Sequence, residues 1–304
     1  MLANNNEAII NKLAKNSVKT NKKQYAILFF TIILSAFMLF CVFTIGMTYL
    51  NSSRLQNTRL NGAEYDIVTM NGFTSEQLNT LQQNENIRSV GIESYAGFIQ
   101  STEYDKTVEI GLLWCDEVFW DNLMSPARTK LDGHYPQNKN ELMVTKDILK
   151  TCGNENLSVG DSLILTYENN TGVYTDEFVI SGIWDGYGDT SAGFVSKAFY
   201  DETGYDLKNN GILCIKLNCN YVFPTTIQSI EKSLDFSDRQ IFAPTGYIEN
   251  SFKLLLGICG LALVICLSAY LLIYNILYLS VSGKIRYYGL LQSLGMTKKQ
   301  LVRF

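Results

Sequence analysis

Histidine is almost absent from this chain of 304 residues, which has one, His134, together with only four prolines. A single imidazole excludes a metal site built on paired histidines, and its position between Gly133 and Tyr135 is typical of a surface turn. No G-x-S-x-G nucleophile elbow occurs in the sequence. We therefore predict no catalytic residue and no metal site in this chain.

A complete phosphate-binding loop is also missing. The stretch GDTSAGFVSK has Gly188 and Gly193 at the spacing of the Walker A motif, but Phe194 stands where that motif requires a lysine. Without the lysine, no charge would hold the β- and γ-phosphates of a nucleotide. We expect this chain to bind and hydrolyse no ATP by itself.

Acidic residues are missing from both ends of the chain. Of 29 aspartates and glutamates, only Glu7 precedes Asn51, and none follows Glu249. Lysine and arginine cluster instead within the first 23 residues and again after residue 283. This segregation indicates separate compartments, and the acidic middle argues against nucleic acid as a partner.

Charge is absent altogether from two long apolar runs, residues 25–50 and 254–281. Both exceed the roughly 20 apolar residues that a helix needs to cross a bilayer. Buried core helices are rarely so long and uninterrupted. The first run is also too long, and starts too far from the N-terminus, for a cleaved signal sequence. We predict two transmembrane helices.

The basic clusters flank both runs on their outer sides. The positive-inside rule then places both termini in the cytoplasm and residues 51–250 outside the cell, in a multi-pass protein of the cell membrane. Residues 1–24 carry apolar side chains at roughly helical spacing and predict an amphipathic segment on the inner lipid surface, although a frayed basic tail is the alternative. Membrane lipid is thus the first expected partner.

The outer region mixes strand and helix signals without a regular alternation. ELMVTKDIL (141–149) predicts a strand running into a helix, whereas DSLILTY (161–167) and EFVISGIW (177–184) predict two strands. Thr74 or Ser75 is the expected N-cap of another helix. IRSVGIESYAGFIQ (87–100) predicts a further strand, with turn chemistry near Gly91. These signals indicate an α+β domain.

Four of the seven cysteines fall in this outer region. They could form three different sets of disulfides, and the sequence does not choose among them. The four residues are Cys115, Cys152, Cys214 and Cys219.

Three outer segments, residues 131–149, 158–165 and 178–185, occur in an order that resembles the extracytoplasmic core domain of MacB-like ABC transporter permeases. Residues 131–149 contain a glycine, a proline and then Asn-Glu before an apolar strand. SVGDSLIL (158–165) and FVISGIWD (178–185) follow, similar to the family's "hydrophobic-G-D-x-hydrophobic" and "F-x-V-x-G-I" motifs. In them we expect a tight turn at Gly160-Asp161 and a close approach of two backbones at Gly182.

The tail KIRYYGLLQSLGMTKKQL is similar to the FtsX-like permease signature, with Tyr287 in place of the usual glutamate and Gln292 in place of a basic residue. The resemblance implies that residues 284–304 form a coupling helix and the start of the next helix. The coupling helix would contact an ABC ATP-binding subunit in the cytoplasm. The expected contact residues are Ile285, Arg286, Tyr288, Gly289, Leu290, Leu291, Leu294, Gly295 and Met296.

Local patterns in the tail agree with this expectation. Apolar residues recur at i, i+3 intervals from Ile285 to Leu294 and predict one apolar stripe. Gly295 is placed to end the helix as its C′ residue. Thr297 and Gln300 match a capping box that would open another helix. An interfacial helix lying on lipid is the alternative.

The resemblance implies a membrane protein with two transmembrane helices flanking an α+β domain of MacB-like core type. Its function would be that of a permease subunit of Gram-positive type, with ATP and magnesium bound in the separate partner subunit. Nucleotide-driven movement would pass to the outer domain, for export or extraction of peptides, lipids or lipoproteins or for resistance to antimicrobial peptides. A second permease copy or half is a further implied partner. Because the family has at least four spans, we expect this chain to be an N-terminal portion.

A different class of protein also fits the same layout. A two-span sensor or adaptor would bind a ligand outside and signal without ATP, and a regulator of cell-wall hydrolases is a related alternative. A neighbouring gene for a Walker A ATPase would favour the permease.

Overall fold

The computed structural model describes residues 12, 15, 16, 19–100, 110–187 and 192–298 of the chain. The chain divides into two compact units. One contains residues 1–48 and 255–304, and the other is Tyr49–Leu254, which we call the outer domain after the location that the sequence predicts for it.

The helices within the described residues are α1 (Lys22–Asn61), α2 (Ser75–Gln83), α3 (Lys146–Thr151), α4 (Lys197–Tyr200), α5 (Leu207–Asn210), α6 (Pro224–Lys232), α7 (Gly246–Ser282) and α8 (Ile285–Ser293). The strands are β1 (Ile67–Met70), β2 (Ile87–Ile99), β3 (Ile110–Cys115), β4 (Lys130–Gly133), β5 (Glu141–Thr145), β6 (Ser162–Asn169), β7 (Gly172–Asp185), β8 (Ala192–Val195), β9 (Ile212–Leu217) and β10 (Ile241–Pro244). A π-helical turn (Val118–Leu123) and a 3-10 turn (Ser125–Ala127) follow β3.

The strands form one mixed sheet in the order β10-β1-β9-β2-β3-β8-β5-β7-β4. The pairs β3/β8 and β5/β7 are parallel, and the other pairs are antiparallel. Strand β6 pairs with both β7 and the end of β2, which closes six strands into a ring. The α+β class predicted from the sequence is confirmed.

The main core fills the inside of this ring. Strand β6 alternates strictly, so that Leu163, Leu165 and Tyr167 point inward while the residues between them are exposed. Leu142 and Phe178, from β5 and β7, meet them there. The alternation of apolar and polar residues that predicted these strands therefore matches the alternation of buried and exposed side chains in the sheet.

A second core lies under α2 and α6, against β1, β9 and the start of β2. Ile67, Leu81, Ile215 and Ile230 are almost completely buried in it. Thr74, one of the two N-caps predicted, caps α2 in a full capping box with Gln77. The outer domain therefore combines a closed ring of strands with a smaller two-layer α/β part.

The strand predicted over residues 87–100 is confirmed as β2, but the turn chemistry expected near Gly91 is wrong, because Gly91 lies in the middle of that strand. A Cβ on Gly91 would lie 2.9 Å from the Cα of Phe119 and 2.8 Å from Leu123 Cδ1, both in the π-helical turn. The absence of a side chain at Gly91 thus allows the π-helical turn to pack closely against strand β2, a common reason for a glycine within a strand. At Gly182 the expected close approach is confirmed, since a Cβ would lie 3.0 Å from the His134 carbonyl oxygen.

In the other unit, α1 and α7 run antiparallel. A Cβ on Gly46 would lie 2.6 Å from Ile258 Cδ1, so the two helices touch at this point. Near the other end of the pair, Ser280 Oγ lies 3.3 Å from Gln24 Oε1. The basic residues before α1 and after α7 therefore lie at the same end of the pair.

Both helices are long and apolar enough to cross a membrane, at 40 and 37 residues. Their most apolar windows are almost entirely exposed, unlike the core helix of a soluble protein. The chain therefore has the two long apolar helices, flanking an α+β domain, that the sequence predicts.

Candidate functional site

The segment expected to bind a partner, α8, begins directly after α7. The two helices are separated by Gly283 and Lys284, whose N–H groups donate to the carbonyls of Leu279 and Val281. These bonds use two of the last four carbonyls of α7, and residues 283 and 284 form a turn between the helices. Helix α8 is therefore a separate short helix and not an extension of the apolar span.

The end of α8 has the geometry predicted for Gly295. The residue has φ 95°, in the left-handed region that glycine adopts readily. Its N–H donates to the Gln292 carbonyl at 3.0 Å, and the Met296 N–H donates to the Leu291 carbonyl at 3.1 Å. These two bonds together form a Schellman motif, so the helix has a fixed end.

The single apolar stripe predicted for α8 is wrong in detail. Each i, i+3 step falls short of a full helical turn by about 60°, so the positions from Ile285 to Leu294 wind around the helix. The exposed apolar arc consists instead of Tyr287, Leu290 and Leu294, which are 42%, 62% and 81% exposed. Ile285 is 66% exposed at a separate position.

All nine predicted contact residues lie in α8 or just beyond it, and none is buried. Tyr288, Leu291 and Met296 are half-buried, whereas the other six are exposed. Charges near α8 are positive, with Lys284 before it and Arg286 in its first turn, and no acidic residue follows Glu249. The capping box predicted at Thr297 depends on Gln300, which lies outside the described residues, as does most of 1–24.

The C-terminal part of α1 belongs to the outer domain, where the helix continues as far as Asn61. Leu50 and Thr58 are buried there, and we call residues 50–61 the root of α1. Arg54 on this root lies 3.5 Å from the Glu64 carboxylate. The C-terminal end of this apolar helix is therefore part of the folded outer domain.

Beyond the root lies a buried ion cluster. Lys216, on β9, is 5% exposed, and its Nζ lies 3.2 Å from the carboxylates of both Glu64 and Asp66. Asp66 also accepts a hydrogen bond from the Leu217 N–H at 2.9 Å. Burial raises the pKa of the Asp66 carboxyl, and the Lys216 ammonium opposes that rise. A cluster of this kind is costly to leave half-paired.

Asp66 connects strand β9 to the start of α7, and the ion pairs from Arg54 through Glu64 and Lys216 link the α1 root to Asp66. The Asp66 N–H donates to the Ile215 carbonyl at 2.9 Å, and the Asp66 carbonyl accepts from the Thr245 N–H at 2.8 Å. Thr245 directly precedes α7, whose first turns bury Ile248 and Ser251. Both helices thus begin or end in one hydrogen-bonded region of the outer domain, around Asp66.

Sequence reasoning missed this cluster, although one signal for it was present. Strand ILCIKL places a single lysine in an otherwise apolar run, and a lysine there needs a carboxylate partner. The partners Glu64 and Asp66 lie about 150 residues away in sequence. No local pattern connects two segments so far apart.

Other sequence features now have structural places. Phe194 lies in β8, and its ring centroid lies 5.3 Å from that of Trp120 and 5.6 Å from that of Trp184. This part of the Walker-like stretch is therefore sheet and not loop. Gly188 lies outside the described residues. All seven cysteines lie in the described part and none is joined in a disulfide. Burial raises the pKa of the Cys115 and Cys214 thiols well above the usual value.

No protein-family model matches the sequence, and no curated protein does. Solved structures do match. The periplasmic region of MacB from Actinobacillus actinomycetemcomitans is 13% identical, with a TM-score of 0.41 over 64% of this chain and 95% of that one. The extracellular domain of YknZ, a noncanonic ABC-type transporter from Gram-positive bacteria, is 13% identical, with a TM-score of 0.38 over 59% and 98%.

A domain of a putative permease protein from Porphyromonas gingivalis is 9% identical, with a TM-score of 0.36 over 60% of this chain and 89% of that one. MacB, whose family the sequence motifs resemble, is thus among the structural neighbours. All three TM-scores lie below 0.5, and the function proposed next rests on the residues of this chain.

Proposed function

We propose that this chain is a permease subunit of an ABC transporter, in which α8 binds a separate cytoplasmic ATP-binding subunit. The observation that carries the proposal is the exposed apolar arc of Tyr287, Leu290 and Leu294 on a helix with a fixed end. An apolar helix face of this kind is suited to a groove on a folded partner. ATP and magnesium would bind in that partner.

The geometry supports a mechanical role for the two long helices. In the outer domain, α1 and α7 are both anchored in the region around Asp66. A force on the helices would therefore be applied to a folded domain and not to a flexible linker. We infer that movements of the ATP-binding subunit pass through α8 and the spans to this domain, which acts on a peptide, lipid or lipoprotein outside the membrane.

Orientation and surroundings follow from charge and exposure. The basic ends of α1 and α7 lie together, and the positive-inside rule assigns that end to the cytoplasm. Lipid would cover the exposed apolar sides of both helices, and a second permease copy or half would pack against part of them. In this arrangement the outer domain lies outside the cell.

The test is co-purification of the full-length protein with any Walker A ATPase that a neighbouring gene encodes. We expect the double substitution Leu290→Asp and Leu294→Asp to abolish the association, because each places a charge in the apolar contact. Ile164→Asp is the matched control, since Ile164 is 69% exposed on β6 of the outer domain. It should leave the association unchanged.

Two results would contradict the proposal. Retention of the ATPase by the double variant would show that α8 is not the contact. Failure of the unmodified protein to bind any such ATPase would favour the two-span sensor or adaptor.

Topology is tested separately, by labelling introduced cysteines from outside the cell. A cysteine at position 169, in place of Asn169, should be labelled, whereas one in place of Lys15 should stay unlabelled.

A further inference from the structure

A polar groove lies on the outer domain between α2, α5 and the turn that joins α6 to β10. It encloses 460 Å³ and is lined by 13 residues. Eight of these carry neutral amide or hydroxyl side chains, four are charged, and Leu234 is the one aliphatic residue. The groove belongs neither to α8 nor to the ion cluster around Lys216.

The floor of the groove is a pair of glutamines that bond to each other. Gln240 Nε2 donates to Gln77 Oε1 at 2.9 Å, and Gln77 Nε2 donates back to Gln240 Oε1 at 3.1 Å. Backbone carbonyls hold the same two amides, Leu234 for Gln77 and Gly72 for Gln240, both at 2.8 Å. Both side chains are therefore fixed before any ligand arrives, which lowers the entropy lost on binding.

The backbone around the groove is also unusual. Among the described residues, the non-glycine residues with positive φ are Asn71, at 67°, and Asp235, at 42°, and both line this groove. Such conformations cost free energy and persist where the surrounding structure requires them, often at binding sites. Asn71 is held by a 2.8 Å bond from its Nδ2 to the Arg239 carbonyl.

Two charged side chains on the rim have no internal role. Within the described part of the chain, the Asp235 carboxylate and the Arg239 guanidinium make no hydrogen bond and no ion pair. Glu76 and Lys208 add one further charge of each sign, so the four charges cancel. The rim therefore offers strong donors and acceptors without a net field.

The lining excludes several classes of ligand. No aromatic ring is present among the lining residues to stack on a nucleobase, and one leucine is too little apolar surface for a lipid tail or an apolar peptide side chain. The cancelled charge does not favour a polyanion. The lining fits best a neutral molecule rich in hydroxyl groups, because its eight amide and hydroxyl side chains present donors and acceptors side by side.

We propose that this groove binds a neutral oligosaccharide, with Asp235 and Arg239 hydrogen-bonded to its hydroxyl groups above the Gln77–Gln240 floor. The proposal is independent of the permease function. Because every contact is polar and the site is open to water, the expected dissociation constant is on the order of 1 mM for a trisaccharide. The edges of the sugar rings, and not their faces, would carry the contact.

The test uses the full chain in lipid nanodiscs, because the sugar headgroup of a maltoside detergent would compete for the groove. Maltotriose, cellotriose and triacetylchitotriose are titrated by ligand-observed NMR, with triserine and inorganic phosphate as comparison probes. We expect at least one trisaccharide to bind saturably, and neither comparison probe to do so. Binding of triserine or phosphate as tightly as the best sugar would overturn the proposal.

The double substitution Asp235→Asn and Arg239→Ala should weaken trisaccharide binding at least tenfold. Asparagine tolerates the positive φ of residue 235, and neither native side chain has a partner among the residues that the structure describes, so the fold should be retained. Asp176→Asn with Lys139→Ala, in a second surface groove near β6 and β7, is the matched control and should bind normally.

A second variant keeps the test decisive if the first unfolds. Ser233→Trp would fill the groove from its edge and should give the same loss without touching the two charges. The melting temperature of each variant is measured first. The proposal is wrong if no trisaccharide binds up to about 10 mM, or if groove and control variants lose affinity equally.

Discussion

The two ends of the long helices are held in opposite ways. In the outer domain, the α1 root and the first turns of α7 bury Leu50, Thr58, Ile248 and Ser251 and converge on a buried ion cluster. Beyond the other end of α7, no residue of α8 is buried. One end is stabilised by contacts within this chain, whereas the apolar arc at the other end is exposed.

The largest expected effect is at the buried end. Lys216→Met should lower the free energy of unfolding of the outer domain by about 3–5 kcal/mol, because it leaves the buried Asp66 carboxylate without its cation, whereas Glu64 keeps Arg54 at 3.5 Å. The measurement is chemical denaturation of the full chain followed by tryptophan fluorescence. All three tryptophans lie buried in the outer domain and therefore report its unfolding.

Lys139→Met is the matched control, because Lys139 pairs with Glu202 while both side chains are exposed, at 59% and 62%. An exposed pair contributes about 0–1 kcal/mol, so this variant should unfold almost as the native protein does. Adding Asp66→Asn to Lys216→Met should restore part of the loss. Equal effects of the two lysine substitutions would mean that the buried cluster does not anchor the helices.

The sequence predicts some features at the two ends of the long helices, but not others. Local signals identified Thr74 as a cap, Gly295 as a helix end and the alternating strands, because each depends on residues a few positions apart. The Lys216 cluster and the groove join segments about 150 residues apart, which no period or spacing records. The turn expected at Gly91 was wrong for the same reason, since its cause is the packing of Phe119 from another element.

A pH effect of intermediate size is expected at Glu93, on β2. Burial raises the pKa of its carboxyl from 4.5 to about 7, so the folded protein holds a proton that the unfolded chain has already released. Stability should therefore be full below about pH 4.5 and fall as the pH rises to about 7, by on the order of 2–3 kcal/mol.

The check compares the native protein with Glu93→Gln from about pH 4 to about pH 8. Glutamine imitates the protonated carboxyl, so the two proteins should be equally stable at the acid end and diverge above it, with the variant more stable. Other titrating groups cancel in the difference. Parallel pH profiles would show that Glu93 ionises as freely in the folded protein as in the unfolded chain.

The smallest effects come from two glycines, one in each region. Gly91→Ala should destabilise the outer domain by about 1–3 kcal/mol, because the new Cβ meets the Phe119 backbone, which cannot turn aside as a flexible side chain would. Gly289→Ala in α8 should be neutral or stabilise that helix by about 0.5–1 kcal/mol, since nothing lies within 4 Å of the added carbon. Tryptophan fluorescence measures the first, and amide hydrogen exchange of α8 measures the second. A destabilised α8 in Gly289→Ala would show that α8 is packed within the chain after all, and the contrast between the two ends would fail.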